Sequence, residues 1–301
     1  MSSGNLRIRE YQVSHRTHYR YSFPASLCHN QLHLRPREVT GQTLLHASIQ
    51  IDPAPAYRSS GLDSFGNPTE FFSIEHAHDE LCVHSSFSLQ RLEPNHPSQA
   101  GFTADDLLDW LNRSDCAESI QAQEFLSESR YCSIGNEFIQ FLKPVWEPQQ
   151  DALRVIDQVN QFIHESIQYQ PLSTDVTTPS ILALRNRRGV CQDLANVFIS
   201  CMRSLGIPAR YVSGYLVTTP PPGQPKLVGS DASHAWTSLY LGSLGWIDWD
   251  PTNNKRVDLD HITLAWGRDY ADVAPIQGVF VGGGGTSLEV AVDVVLANES
   301  A

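Results

Sequence analysis

Three residues of this chain, Cys191, His234 and Asp250, have the types and order needed for covalent acyl chemistry. Cys191 stands in Arg188-Gly189-Val190-Cys191-Gln192-Asp193-Leu194, just ahead of apolar residues at helical spacing: Leu194, Phe198, Cys201, Met202 and Leu205. Gly206-Ile207-Pro208 then supplies a C-terminal glycine and a stop, so the spacing predicts a helix whose first turn carries Cys191. The unpaired amides and the macrodipole at a helix N-terminus favour an anion. A thiol there is expected to lose its proton more readily than the reference value of about 8.5 implies, and the thiolate is the reactive form.

A thiolate needs a proton shuttle. His234, in Asp231-Ala232-Ser233-His234-Ala235-Trp236, opens a predicted hairpin with strands over 236–241 and 246–249 and a turn at Gly242-Ser243-Leu244-Gly245. Antiparallel pairing across that turn sets positions summing to roughly 484 to 487 opposite one another, which brings His234 near 250–253. Asp250 can then hold the imidazole. Nucleophile, general base and orienting carboxylate in this order suit thioester chemistry. Attack on a carbonyl also requires donors for the developing oxyanion. The Cys191 amide is the first candidate and Tyr169, in Ile167-Gln168-Tyr169-Gln170-Pro171, is a second, with plain packing as its alternative.

The elements that must position these residues divide the 301-residue chain, 41% of it hydrophobic, into two domains and a connecting stretch. Residues 6–95 carry period-2 runs, with His15, Thr17, Tyr19 and Tyr21 on one face, and turn punctuation such as Ser64-Phe65-Gly66-Asn67-Pro68. They predict an antiparallel β domain. Residues 96–150 form a helical connecting region, with helices over 104–111 and 136–142. Residues 151–297 hold the catalytic core and C-terminal strands: helices over 151–167 and 180–184, the Cys191 helix, a strand over 209–217, the hairpin, and strands over 277–281 and 288–296 around the turn Gly282 to Gly285. The fold class is α+β.

Four sequence stretches, taken together, carry a family resemblance: Gly189-Val190-Cys191-Gln192-Asp193, Gly206-Ile207-Pro208-Ala209-Arg210-Tyr211-Val212-Ser213-Gly214, Asp231-Ala232-Ser233-His234-Ala235-Trp236 and Asp250-Pro251-Thr252-Asn253. In this order within about 65 residues they resemble the core of the bacterial transglutaminase-like proteins. The resemblance implies a papain-like α+β scaffold with Cys191 as nucleophile, His234 as base and Asp250, followed by Pro251, as orienting acid; Asp248 is the rival. Val13 to Tyr21 and Leu32 to Arg37 resemble the β domain that precedes this core in the family, and Trp266 to Pro275 resembles the segment after the aspartate. One departure stands in Asp193-Leu194-Ala195-Asn196, where many relatives have Asp-Phe-Ala-His. It is expected to affect substrate fit more than chemistry.

Other features narrow the function. A formal charge of -12 argues against binding a nucleic-acid backbone. No apolar run approaches the roughly 18 to 20 residues of a membrane helix, and Met1 to Glu10 lacks the apolar stretch of a signal peptide, so a cytoplasmic protein without membrane contact is expected. The six cysteines, at 28, 82, 116, 132, 191 and 201, lack paired spacing and fit reduced thiols, with Cys201 a buried apolar group. His15, His18, His76 and His78 read as sheet or surface histidines, and no calcium loop is visible, so neither metal nor cofactor is expected. His261 and Arg268 to Tyr270 read as a structural or cleft-edge segment. The favoured activity is a cysteine peptidase or amidase acting on a peptide or protein amide. An acyltransferase using the same thioester to crosslink proteins is the alternative, and a noncatalytic binding module a third.

Overall fold

The computed structural model describes residues 7–171, 176–217 and 233–300. Its architecture is α+β, with two antiparallel sheets and a set of helices between them in the chain. Five strands open it: β1 (Ile8–Leu32), β2 (Gln42–Asp52), β3 (Tyr57–Leu62), β4 (Pro68–Ile74) and β5 (His78–Leu92). The alternation expected over β1 is present, since Tyr11, Val13, His15 and Thr17 are buried while Gln12 and Arg16 are exposed. His15 is held inside by Tyr215 Oη at 2.6 Å and Thr17 Oγ1 at 3.0 Å, and burial pushes its pKa down to about 4. It is a sheet histidine with both ring nitrogens engaged.

Four helices follow: α1 (Ala104–Arg113), α2 (Ala117–Ala122), α3 (Asn136–Leu142) and α4 (Ala152–Ser166). Capping chemistry sets where two of them start. Thr103 accepts the Asp106 amide at 3.1 Å while Asp106 accepts the Thr103 amide at 3.0 Å, and Asp151 accepts the Leu153 amide at 3.1 Å. The rest of the chain runs β6 (Gln168–Tyr169), α5 (Ser180–Asn186), β7 (Arg188–Gly189), α6 (Cys191–Ser204), β8 (Ala209–Leu216), β9 (Ser233–Tyr240) and β10 (Trp246–Asp250). It ends with β11 (Lys255–Arg256), β12 (His261–Gly267), α7 (Tyr270–Val273), β13 (Ile276–Gly282) and β14 (Thr286–Ser300). The second sheet has the order β11-β10-β9-β8-β12, and α6 packs across β8 and β9.

The last two strands correct the division drawn from sequence. Residues 277–281 and 288–296 are strands around the Gly282 to Gly285 turn, as expected, yet β13 and β14 pair with β1, not with the core sheet. β1 is 25 residues long; β5 covers one edge of its first half, and β14 closes the other from Ile8↔Ser300 to Tyr21↔Thr286. The chain therefore returns to complete the N-terminal sheet. Local periodicity reveals a strand but not a partner some 280 residues away.

The two sheets share one apolar core. It runs from Tyr11, Val13, Phe87 and Leu89 through α1, α4 and α6 to Trp249, Ile262, Val292 and Val294. Every residue of α6 from Asp193 to Arg203 is buried, so this helix is the centre of the molecule. Each large apolar side chain buried there contributes roughly 1.5–3 kcal/mol relative to exposure. Gly214 marks the tightest approach in the core sheet, because a Cβ there would lie 2.1 Å from the Ile262 carbonyl and 2.4 Å from the Trp236 ring. Gly214→Ala is expected to cost more than about 3 kcal/mol. Gly61→Ala, whose added carbon would meet only Thr69 Oγ1 at an ordinary 3.9 Å, should leave the melting temperature nearly unchanged. Thermal unfolding of the two variants side by side checks this.

Candidate active site

Cys191 begins α6 at the end of a short parallel pair. β6 lies beside β7, with Gln168 opposite Arg188 and Tyr169 opposite Gly189. The chain then turns sharply into the helix, and Asp193 folds back to accept the Val190 amide at 2.7 Å. Gly189 makes room for this: a Cβ there would lie 2.5 Å from Asp193 Cβ. Val190, the N-cap, has no side-chain oxygen to occupy the first-turn amides. Partly buried Cys191 therefore has helix-end amides around it.

The hairpin forms in the expected register. Trp246 lies opposite Tyr240 and Trp249 opposite Thr237, and each of these pairs sums to 486. Thr237 Oγ1 donates to the Ala195 carbonyl at 3.2 Å, which ties β9 to α6. At the open end, His234 Nε2 meets Asp250 Oδ2 at 2.7 Å. That contact leaves Nδ1 as the ring's other nitrogen, and the Cys191 side chain is near enough to act on the charge of the ring. The geometry thus brings together all three residues singled out by sequence. Asp248 is engaged elsewhere, accepting Trp236 Nε1–H at 3.0 Å.

The charges are mutually dependent. Burial alone would lower the pKa of His234, but its hydrogen bond to Asp250 and the nearby Cys191 outweigh this and raise it to about 10. Burial alone would raise the Asp250 carboxyl, yet hydrogen bonds from His234 and His261 hold it well below the usual carboxylate range. Asp250 is fully buried and its oxygens are saturated. Oδ1 accepts the Thr252 and Asn253 amides at 2.9 and 3.1 Å, and Oδ2 accepts Asn253 Nδ2 at 2.6 Å and His261 Nε2 at 3.1 Å beside His234.

Two of these partners escaped the sequence reading. Asn253 belongs to the quoted Asp250-Pro251-Thr252-Asn253 motif, so its place in a turn around Asp250 had a signal. His261 was read as part of a structural or cleft-edge segment, and its contact with Asp250 had no local signal, because the proximity of β12 to Asp250 arises from sheet pairing with β8. His234, Asp250 and His261 offer ligand atoms within 4.8 Å of one another, the one such group of three among the described residues. Every donor points at Asp250 Oδ2 at hydrogen-bonding distance, so the set is already satisfied as a proton network and a metal would have to break it.

Tyr169 is half-exposed, and burial together with the nearby Cys191 raises its pKa. The remaining thiols differ from Cys191. Cys132 and Cys201 are completely buried, and burial pushes the Cys132 thiol up to about 12. Asn196, where the family motif has histidine, is buried and accepts from Cys132 Sγ at 3.3 Å, which places it in the interior. The 218–231 segment expected to wall the cleft lies outside the described residues. A cleft of about 1690 Å³ is lined in part by Trp246 and Trp266, and neither Cys191, His234 nor Asp250 lines it. No described helix is long and apolar enough to cross a membrane.

Comparison with known proteins shows the family and the fold. An uncharacterised Mycobacterium tuberculosis protein is 35% identical over 292 residues, covering 95% of this chain and 92% of its own. A Pseudomonas aeruginosa protein-glutamine gamma-glutamyltransferase is 32% identical over 126 residues, 40% of this chain and 19% of its own. A solved Cytophaga hutchinsonii structure, described provisionally as a cysteine protease, shares the fold with a TM-score of 0.76 at 19% identity, covering 98% of this chain and 92% of that one. Family models for the bacterial transglutaminase-like N-terminal region and the transglutaminase-like superfamily match residues 11–90 and 139–251. With both regions matched in order and relatives of similar length above 30% identity, the chain belongs to the bacterial transglutaminase-like proteins.

Proposed function

We propose that this protein is a cysteine-dependent amide hydrolase acting on a peptide or protein substrate. The observation that carries the reading is the His234 ring, hydrogen-bonded through Nε2 to buried Asp250 and close to a cysteine at a helix N-terminus that helps raise its pKa. In this mechanism the proton of Cys191 already rests on the His234 ring, and the thiolate attacks the substrate carbonyl carbon. The carbonyl π electrons move to oxygen, where the Cys191 amide and the Tyr169 hydroxyl serve as donors. As the intermediate collapses, the C–N bond breaks, His234 protonates the departing amine and a thioester remains. Water, deprotonated by His234, then cleaves the thioester to release a carboxylic acid and the thiol. Asp250 keeps the ring oriented and its charged form stable throughout.

The similarity to a protein-glutamine gamma-glutamyltransferase favours a second reading, in which an amine replaces water in the last step. Casein incubated with a fluorescent primary amine distinguishes the two. Amine release without label incorporation supports hydrolysis, and label incorporation supports transfer. A noncatalytic module predicts neither. Cys191→Ala should abolish either activity with the fold intact, and His234→Ala should do nearly the same. Asp250→Asn should lower the rate by roughly 10²–10⁴-fold, whereas Asp248→Asn acts mainly on stability. Normal turnover by the Cys191 or His234 variant would contradict the mechanism.

The pKa directions also fix a stability profile. The raised pKa of His234 means that its contribution is fully present below about 6.5 and is lost as pH rises toward about 10. The depressed Asp250 contributes above the ordinary carboxylate range and loses that contribution as pH falls through its folded-state value. Denaturant unfolding should therefore show the stability advantage of wild type over His234→Gln shrinking between pH 7 and 10. An advantage independent of pH would contradict the coupling.

A further inference from the structure

We infer that His261 is a positioning residue for the reaction: it holds the Asp250 carboxylate so that Oδ2 stays aimed at His234. The inference rests on the reading of Cys191, His234 and Asp250 as the reacting set.

The geometry carries it. An aspartate carboxyl turns freely about its last bond, since that torsion is broad and roughly two-fold. Oδ1 is fixed by the Thr252 and Asn253 amides, and Asn253 Nδ2 reaches Oδ2, but these three donors belong to the same short turn as Asp250. They can move with it. His261 Nε2, at 3.1 Å from Oδ2, is the described side-chain donor from outside both that turn and the His234 strand. It comes from β12, which is separated from β10 by β9 and β8 in the sheet.

The His261 ring itself has no freedom. It is completely buried, its Nδ1 lies 2.9 Å from Asp258 Oδ1, and its edge packs against the Trp236 ring at a centroid distance of 5.2 Å. Asp258 is fixed in turn by Lys255 Nζ at 2.7 Å. The charged and titratable groups facing His261 are thus Asp250 from β10, Asp258 with Lys255 behind it, and His234 from β9 at 6.2 Å between ring centroids. A histidine that only filled space would not need a carboxylate at each nitrogen. Donation to Oδ2 also helps keep Asp250 ionised in a site where burial opposes its charge.

Two conservative variants separate positioning from packing. The amide nitrogen of His261→Gln can occupy the place of Nε2 and donate to Asp250. That of His261→Asn occupies the place of Nδ1 and reaches only Asp258. The rate of Cys191 alkylation by iodoacetamide, followed by intact mass from pH 5 to 10, needs no substrate. His234→Ala is the reference and thermal unfolding the check on folding. Wild type should lose its fast alkylation in His234→Ala. His261→Asn should be about tenfold slower than wild type at pH 7 with a displaced pH profile, and His261→Gln should lie within about threefold of wild type with the wild-type profile. If both variants keep the wild-type profile, or if both slow only in proportion to lost thermal stability, His261 is packing and the inference is wrong. If wild-type alkylation does not depend on His234, the reading of the site fails instead.

Discussion

The hydrogen bond from His234 Nε2 to Asp250 Oδ2, 2.7 Å long in a buried site, is the contact on which the rest of this structure turns. A buried carboxylate is unfavourable by several kcal/mol unless it is fully paired. Five donors surround Asp250: two ring nitrogens, two backbone amides and the Asn253 side chain. Their combined attraction exceeds the desolvation, so the carboxylate stays charged and in turn keeps His234 protonated. The order of causes matters here. The surroundings hold Asp250 and Asp250 holds the ring, which leaves one nitrogen for the thiol.

This arrangement needs strands to be fixed relative to α6, and the N-terminal region supplies part of the fixing. Gln42 exchanges two hydrogen bonds with the Thr263 backbone, at 2.8 and 2.9 Å, and Asn67 does the same with Trp266, at 2.8 and 2.9 Å. Both clamps act on β12, the strand that carries His261. His33 Nδ1 reaches the Ala274 carbonyl at 3.1 Å beyond it. The N-terminal sheet is therefore more than an appended module: its side chains pin a strand two positions from the hairpin, and one apolar core runs through both parts. The return of β14 to β1 closes the same unit from the other end of the chain.

How much of this could be read from sequence follows from the range of each interaction. Cys191, its helix and the His234 hairpin are local features. Periodicity, a glycine-containing approach and a tight turn fixed them, and the register of the hairpin brought Asp250 to the ring. Gly189 carries its reason in the neighbouring Asp193, four residues away. The placement of β13 and β14 was not legible because edge pairing across the whole chain leaves no local pattern. His261, read as part of a structural or cleft-edge segment, could not be tied to Asp250 for the same reason, since that contact exists only once the sheet order is known. Asn196 shows the limit of motif comparison, because the departure from the family pattern falls at an interior position bonded to Cys132.

The most direct test of the account is the ring titration of His234, observed by ¹⁵N NMR in protein labelled at histidine and assigned by comparison with His234→Gln. Both ring nitrogens are expected to keep the shifts of a protonated imidazole through neutral pH and to lose them only near pH 10, and Asp250→Asn to move this transition several units down. A transition near the ordinary value of about 6.5 in wild type, unmoved by Asp250→Asn, would contradict it.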